Sequence, residues 1–395
     1  MIPGAAASKR QRGDYADALM GLACGLTGVT ALLLLRGMLV YAGARDFVLY
    51  WATGQRLAHH ANPYDLAALG TLERAAGMKA AATMRNPPWA LPLVLPLGHI
   101  SAGLGGILWT LCLLALMVAA VWIAWRCVRT GSKPLAWLGF LSPVAISGLT
   151  SGQTSVLPLL GMALFLQLHR RRPFAAGAAL WLCALKPHLI LPWAVVLVLW
   201  IVLERAWGIF AGAITALVAS CLLTEWIDPA AWRQYLAWAH NSGIGSEKLA
   251  CVSVAVRNLI DPAANWLTYV PAAVGCVWAI AYFWRRRANW EWNNQGNLTL
   301  LVSLAVAPYC WAWDQALAIP ALMFAACRTE SRLAMAVLAA SYIAVDVQLM
   351  SGFGLHSAVW IWLGPFWLIW YIWARHSVTT PAPSRPAAIP ALSVP

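Results

Sequence analysis

Long apolar runs separated by short basic segments constrain the fold of this chain more than any other feature. The runs are about 20 residues long, enough for each to cross a bilayer as a helix. Backbone groups in hydrocarbon must be paired within their own segment, and the alternation typical of barrel strands is absent. We therefore predict about twelve transmembrane helices, near 18–41, 102–126, 135–150, 153–169, 173–186, 188–203, 206–226, 266–284, 297–309, 314–328, 332–350 and 356–374.

The composition supports this prediction of an all-α polytopic membrane protein. Of the 395 residues, 61% are apolar and 10% are charged, whereas roughly a quarter of the residues in soluble domains are charged. The net charge of +13 does not indicate nucleic acid, because the Lys and Arg residues lie in short clusters between apolar runs, as membrane orientation requires. All the cysteines except Cys251 lie in or beside apolar runs, so we predict no disulfide framework.

The basic clusters orient the chain in the membrane. With the N-terminus in the cytoplasm, every short basic loop falls on the cytoplasmic side, provided that 87–100, which carries four prolines, is a re-entrant or surface-lying segment. Two long loops, 42–101 and 227–265, then lie on the outer side with juxtamembrane helices. We predict one transmembrane domain over 1–376 and a disordered tail over 377–395.

Most polar residues with possible chemistry fall on that outer side, which predicts a functional site there. They are Asp46, Gln153, Lys186, His188, Arg257 and Asp314. Asp46 either caps the helix that begins at Phe47 or takes a proton from a hydroxyl group. On this helix, Tyr50 shares the face of Asp46, whereas Phe47 and Trp51 would lie in the headgroup zone.

The other candidates also have two interpretations each. Lys186 either extends to the headgroups or binds a lipid-linked phosphate, and Arg257 is either a solvated loop residue or a phosphate ligand. Gln153 could satisfy backbone groups at the turn after Gly152. Asn62 reads as a helix N-cap before Pro63, and Tyr64 could shape a sugar pocket. Trp311 and Trp313 are either interfacial anchors or surfaces on which a sugar stacks.

The order of several short motifs resembles glycosyltransferase family 87, whose best-known members are actinobacterial mannosyltransferases of phosphatidylinositol mannoside synthesis. The motifs are Asp46-Phe47 with Tyr50, Asn62-Pro63-Tyr64-Asp65, Asn86-Pro87-Pro88 with Pro96-Leu97 and Trp109, Gly152-Gln153, Ala176-Gly177 with Lys186-Pro187, and Pro308 with Trp313-Asp314. The sequence departs from the expected pattern at Gln315, where a histidine-like residue would follow Asp314.

The resemblance implies a GT-C fold in which the first outer loop carries the catalytic acid. Asp46 would then be the general base of an inverting transfer from a polyprenyl-phosphate sugar to a lipid or glycan acceptor. Lys186 and Arg257 would stabilise the departing phosphate. Gln153, Tyr64, His188, Asp314 and Trp313 would bind the substrates, and we expect neither a metal nor another cofactor. The location implied is the bacterial cytoplasmic membrane, with the site on the extracytoplasmic side.

Two other classes of function share most of these features. A transporter or lipid flippase also uses broken helices with polar turns at membrane depth, although we find no internal repeat and the polar groups favour one face. A polysaccharide polymerase or ligase would use the same outer site with a lipid-linked oligosaccharide. Only the transferase requires Asp46 as a base.

Overall fold

The chain folds into helices joined by short turns, and no β-strand occurs in the part that the structure describes. The computed structural model describes residues 3–40, 46–78, 82, 84–128, 137–241, 249, 251–352 and 358–376. In the first of these segments, only the side chains of residues 18–36 are described. The predicted tail, 377–395, lies outside these ranges. The α-helices are α1 Pro3–Val40, α2 Phe47–Ala58, α3 Leu66–Ala75, α4 Leu91–Val94, α5 Ala102–Val128, α6 Trp137–Phe140, α7 Pro143–Ser151, α8 Val156–Leu168, α9 Pro173–Ala179, α10 Leu191–Leu203, α11 Trp207–Ile227, α12 Ala231–Asn241, α13 Val252–Ile260, α14 Val270–Arg286, α15 Asn297–Ala305, α16 Ile319–Ala326, α17 Arg332–Met350 and α18 Leu363–His376.

Five helical segments among the described residues are long and apolar enough to cross a bilayer. They are Ala18–Arg36, Ala102–Val128, Trp207–Ile227, Asn265–Asn289 and Arg332–Met350. Other predicted spans correspond to shorter apolar helices, such as Val156–Leu168 and Leu191–Leu203. The all-α membrane class is therefore confirmed, whereas the count of about twelve spans stays a prediction.

The helices pack largely in pairs, and small residues let some backbones touch. The main pairs are α1 with α17, α5 with α8, α9 with α11 and α10 with α14. In the α9–α11 pair, a Cβ atom on Gly177 would collide with the Ile209 carbonyl, and one on Gly212 would collide with the Phe174 carbonyl. Because lipid tails are as apolar as the helices, the hydrophobic effect does not drive helices together in a membrane. Small residues instead let the backbones approach closely, and van der Waals packing stabilises the pair.

The proline-rich segment 87–100 forms short helical turns at Pro88–Ala90, Leu91–Val94 and Leu95–His99, and none of them belongs to a candidate span. The segment packs against α2, and a Cβ atom on Gly98 would collide with the Gly54 carbonyl. On the same side, the Trp51 indole donates to the Ile100 carbonyl at 2.9 Å. The segment 87–100 therefore holds α2 through direct backbone contact.

Replacing Gly98 with Ala should destabilise the protein, because the added methyl group would collide with the Gly54 carbonyl. This carbonyl belongs to the backbone of α2 and cannot move aside as a flexible side chain could. Overpacking of this kind typically costs about 1–3 kcal/mol. Gly103→Ala is a matched control, because nothing lies within 4 Å of its added Cβ and Ala favours the helix. Unfolding in detergent followed by circular dichroism would measure both variants. Equal stability of the two variants would contradict the close approach.

Two sequence predictions about the first outer loop are wrong. Asn62 does not cap a helix beginning at Pro63, because α3 begins at Leu66 and the Asp65 carboxylate accepts from the backbone of Ala67 and Ala68. Asn62 instead accepts from its near neighbour, the Tyr64 N–H, at 2.9 Å, which forms a local turn. Phe47 does not lie in a headgroup zone either. It is 1% exposed, and its ring packs against Gly105 and Gly106 of α5.

Candidate functional site

Asp46 precedes α2 at the N-cap position, but its side chain makes no capping hydrogen bond. Its Oδ2 atom instead accepts a hydrogen bond from Gln153 Nε2 at 2.7 Å. Asp65, at the same position of α3, shows the usual alternative, because it accepts from two backbone amides of its helix. The structure thus argues against a capping role for Asp46 and directs its carboxylate to another segment of the chain.

Gln153 owes its position to a sharp turn after α7. Gly152 ends this helix with a positive φ of 79°, a conformation that glycine adopts without steric cost. The carbonyl of Gly152 accepts from the Trp109 indole at 2.8 Å, which ties the turn to α5. Gln153 Oε1 also accepts from the Tyr50 hydroxyl at 3.3 Å. Its side chain therefore joins the turn to Asp46 and Tyr50 of the loop 42–101.

Lys186 forms a buried ion pair with Asp314. Lys186 Nζ donates to Asp314 Oδ1 at 2.6 Å and to Ser155 Oγ at 3.1 Å, and Ser155 donates to the same carboxylate oxygen at 2.7 Å. The side chains of Lys186 and Asp314 are 8% and 0% exposed, so Lys186 does not extend to headgroups. Burial lowers the pKa of Lys186, but Asp314, Tyr50 and Cys310 together outweigh this effect, and the pKa lies above its usual value. The ammonium group is therefore charged, and Asp314 neutralises much of its field.

Asp314 is fixed by its own turn as well as by Lys186. Its Oδ2 atom accepts from the backbone N–H of Trp311 at 3.1 Å, which closes the first turn of the short helix Ala312–Ala318. Trp313 is 5% exposed and packs beside Gly148, so little of its ring is accessible to a sugar. The half-buried Trp311 stacks on Trp313 at a ring distance of 6.2 Å and lies under the Arg85 guanidinium at 5.4 Å.

The turn 152–155 brings the Asp46 and Lys186 groups together. Gln153 bonds to Asp46, the Thr154 hydroxyl lies 3.4 Å from the Tyr50 hydroxyl, and Ser155 bonds to Lys186 and Asp314. Burial raises the pKa of Tyr50, and the charges of both Lys186 and Asp46 act on its hydroxyl. A carboxylate and an ammonium group thus both lie close enough to one tyrosine to act on its hydroxyl. A narrow, mainly apolar cleft beside it is lined by Tyr50, Met84, Asn86, Ala90, Leu93, Val94, Trp109, Thr154 and Leu185.

Tyr64 connects the loops 42–101 and 227–265 close to Lys186. It is 3% exposed, and its ring packs against Tyr235 and Trp238 of α12 at 5.3 and 6.0 Å. Its hydroxyl donates to the Asn86 carbonyl at 3.4 Å. Asn86 in turn donates to the carbonyl of Leu185, the residue before Lys186, at 3.0 Å. Tyr64 therefore helps to position the segment before Lys186 through Asn86.

Arg257 lies on α13 and is 2% exposed, so the interpretation as a solvated loop residue is wrong. Its guanidinium donates to the Asn258 carboxamide, with Nη2 at 3.2 Å. One helical turn earlier, the Ser253 hydroxyl donates to the Val306 carbonyl at 3.1 Å. Through this contact, α13 packs on the segment that leads to Asp314.

His188 stacks on Tyr309, with ring centroids 3.7 Å apart. Its Nε2 atom is buried and has no hydrogen-bond partner among the described residues. Burial lowers the pKa of His188 from 6.5 to about 3; to a smaller extent, Asp314 raises this pKa and Lys186 lowers it. The imidazole is therefore neutral near pH 7 and supplies no positive charge to a phosphate.

The depressed pKa of His188 makes stability depend on pH. Because the unfolded chain binds this proton more readily, the contribution of His188 is complete above pH 6.5 and is lost as the pH falls toward 3. We expect the wild type to lose about 1 kcal/mol more than His188→Phe between pH 7.5 and 5.5. Phe preserves the stack on Tyr309 but does not titrate. Thermal unfolding in detergent at both pH values measures this difference, and parallel losses would contradict a buried neutral imidazole.

The site also contains residues that the sequence analysis did not single out. Ser155 bonds to both members of the buried ion pair, and Thr154 lines the adjacent cleft. The one available signal was that polar residues continue after Gly152-Gln153 inside an apolar region. Within the described ranges, no group of three or more His, Cys, Asp or Glu residues could hold a metal ion. The expectation that the site needs no metal stays a prediction.

Comparison with protein families relates the chain to a known family. The profile of glycosyltransferase family 87 matches residues 85–310, more than half of the chain. The matched residues include Gln153, Ser155, Lys186 and Arg257, whereas Asp46 and Asp314 lie on either side of them. No curated protein and no solved structure matched the chain.

Proposed function

Because the chain belongs to glycosyltransferase family 87, and is thus a membrane glycosyltransferase, we propose that it transfers a sugar from a polyprenyl-phosphate donor. The acceptor is a lipid or a glycan, and the reaction takes place at the outer face of the bacterial cytoplasmic membrane. The proposed architecture is of the GT-C type, with Asp46 as the general base. The observation that carries the proposal is the turn 152–155, whose side chains contact Asp46, Tyr50, Lys186 and Asp314.

The proposed reaction is a displacement at the anomeric carbon of the donor sugar. An acceptor hydroxyl has a pKa far above neutrality, so a carboxylate must remove its proton as the attack proceeds. The new bond joins the acceptor oxygen to the anomeric carbon, and the bond to the lipid phosphate breaks on the opposite face, which inverts the configuration. Gln153 holds one oxygen of Asp46, which orients the carboxylate for this proton transfer.

The departing phosphate takes the electron pair of the broken bond and needs fixed positive charge nearby. Lys186 is the first candidate, because its charged ammonium group and the Asp46 carboxylate both act on the Tyr50 hydroxyl. Its bonds to Asp314 and Ser155 position it, although the Asp314 carboxylate weakens its field. Arg257 is the second candidate, with a buried guanidinium on the helix that packs beside the Asp314 turn.

A transfer assay with defined donors tests the proposal. Purified protein receives candidate acceptors with either radiolabelled undecaprenyl-phosphate sugars or the matching nucleotide sugars. We expect labelled product only from the prenyl-linked donor, and an anomeric configuration opposite to that of the donor. Transfer from nucleotide sugars alone would overturn the proposed donor class. Movement of prenyl-linked sugar across vesicles without any transfer would favour a flippase, and products extended by whole oligosaccharides would favour a polymerase or ligase.

A further inference from the structure

Two buried cysteines meet where the second outer loop packs against the segment that leads to Asp314. Cys251 directly precedes α13, and Cys310 lies in the turn after α15; they are 7% and 3% exposed. The Cys251 thiol lies 3.9 Å from the Pro308 carbonyl oxygen, to which it donates. The backbone N–H of Cys310 points at the Cys251 sulfur, and the two thiol groups interact electrostatically.

These contacts suit a covalent bond between the two residues. A disulfide needs Cα atoms roughly 4.4–6.8 Å apart, and a sulfur that contacts the main chain of its partner cysteine is compatible with this range. Cys310 Sγ now lies 3.4 Å from the Trp311 carbonyl oxygen and 3.3 Å from Gln315 Nε2. Both cysteines are free thiols in the structure, so a sulfur–sulfur bond would replace these weak hydrogen bonds of Cys310. The Ser253–Val306 hydrogen bond already joins α13 to the segment that contains Cys310.

We infer that Cys251 and Cys310 form a disulfide bond that fastens the second outer loop to the Asp314 turn. This bond revises the sequence prediction, which found no disulfide framework because Cys251 had no partner in another polar loop. Its formation in cells rests on the proposed function, which places both residues on the extracytoplasmic side, where thiols encounter oxidants.

The chemistry is a thiol–disulfide exchange with an oxidised disulfide as the electron acceptor. The first thiolate attacks the acceptor disulfide and forms a mixed disulfide, and the second thiolate displaces the remaining half. Two protons and two electrons leave the pair, and the acceptor becomes two thiols. Burial raises the pKa of both Cys251 and Cys310, which disfavours the attacking thiolates once the protein has folded. The bond therefore forms as the loop settles onto the turn, before the sulfurs are enclosed.

The bond has a consequence for the site. Arg257 lies on the helix that begins beside Cys251, and Asp314 follows Cys310 by one helical turn. Fastening these two segments fixes the guanidinium relative to the Lys186–Asp314 pair. It also closes a loop that includes α14 and α15, which stabilises the folded chain by limiting the freedom of the unfolded one.

Counting free thiols by mass spectrometry tests the pairing. The chain has nine cysteines, so fully reduced and denatured protein takes up nine maleimide groups. Protein refolded from a mild denaturant with oxidised glutathione should take up two fewer, and digestion should release a peptide that joins Cys251 to Cys310. Cys251→Ser should abolish the loss of the pair. Cys183→Ser is the matched control, because Cys183 is also buried, at 1% exposure, and this variant should still lose two thiols.

Two results would overturn the inference. One is nine modified thiols in wild-type protein after glutathione treatment. The other is an unchanged loss of two thiols in Cys251→Ser, because a different pair would then be responsible. Protein alkylated at the moment of cell lysis separates this inference from the proposed function. A bond that forms with glutathione but is absent at lysis would support the pairing and contradict the extracytoplasmic location.

Discussion

Asp46→Asn should reduce sugar transfer at least about 100-fold, as expected when a general base is lost, while the yield of folded protein stays the same. The asparagine carbonyl can still accept the hydrogen bond that Gln153 Nε2 donates to Asp46 at 2.7 Å. The local geometry is therefore retained, and the ability to take a proton is removed. Initial rates with the prenyl-linked donor, alongside gel-filtration profiles in detergent, measure both parts of this expectation.

Asp65→Asn provides the matched control for Asp46→Asn. Both acids directly precede a helix in the loop 42–101, but Asp65 caps its helix through the backbone of Ala67 and Ala68. Asn caps helices about as well as Asp, so this variant should transfer sugar at the wild-type rate. Equal turnover by Asp46→Asn and the wild type would remove Asp46 from the mechanism. An equal loss in both variants would mean that the substitutions act through the fold of the loop.

Lys186→Met should lower the free energy of unfolding by about 3–5 kcal/mol, the usual cost of breaking a buried ion pair by removing one partner. The substitution leaves the Asp314 carboxylate, which is 0% exposed, without its counterion. Asp314→Leu should have a comparable effect, because it leaves the Lys186 ammonium buried without its carboxylate. Unfolding by denaturant in detergent measures both losses.

The double variant Lys186→Met/Asp314→Leu separates structure from catalysis. Replacing both charges with apolar side chains should recover most of the lost stability, whereas sugar transfer should stay low if Lys186 stabilises the departing phosphate. Wild-type transfer by the stable double variant would give Lys186 a purely structural role. Arg56→Gln serves as the control, because its ion pair with Asp65 is long, at 3.8 Å, and partly exposed. Its loss should cost less than about 1 kcal/mol.

Much of the fold was predictable, because hydrophobicity acts on each segment separately. A run such as 102–126 is long and apolar enough to specify a helix without any other part of the chain, and α5 covers Ala102–Val128. The segment 87–100 was also predictable, since its prolines prevent a continuous helix. Helix starts were less certain, because Asn62 and Asp65 are both good caps and only local geometry decides between them.

The members of the site could be named from the sequence, but their pairing could not. Asp46 and Gln153 are 107 residues apart, and Lys186 and Asp314 are 128 apart. No local sequence pattern shows which distant residue forms an ion pair or a hydrogen bond with a given charged side chain. A cation at membrane depth is therefore equally consistent with a phosphate ligand and with a partner carboxylate. The burial of Arg257 could not be predicted for a related reason. The helix α13 is amphipathic, and only the helices packed around it decide which of its faces is buried.

The distance in sequence between Lys186 and Asp314 bears on how the protein is made. The ribosome delivers Lys186 to the membrane well before Asp314, so during synthesis the ammonium group awaits a counterion that has not yet been translated. An intermediate that ends between these residues carries an uncompensated charge in a nascent helical bundle, which is costly. We therefore expect truncation ahead of Asp314 to leave the earlier helices open to membrane quality-control proteases.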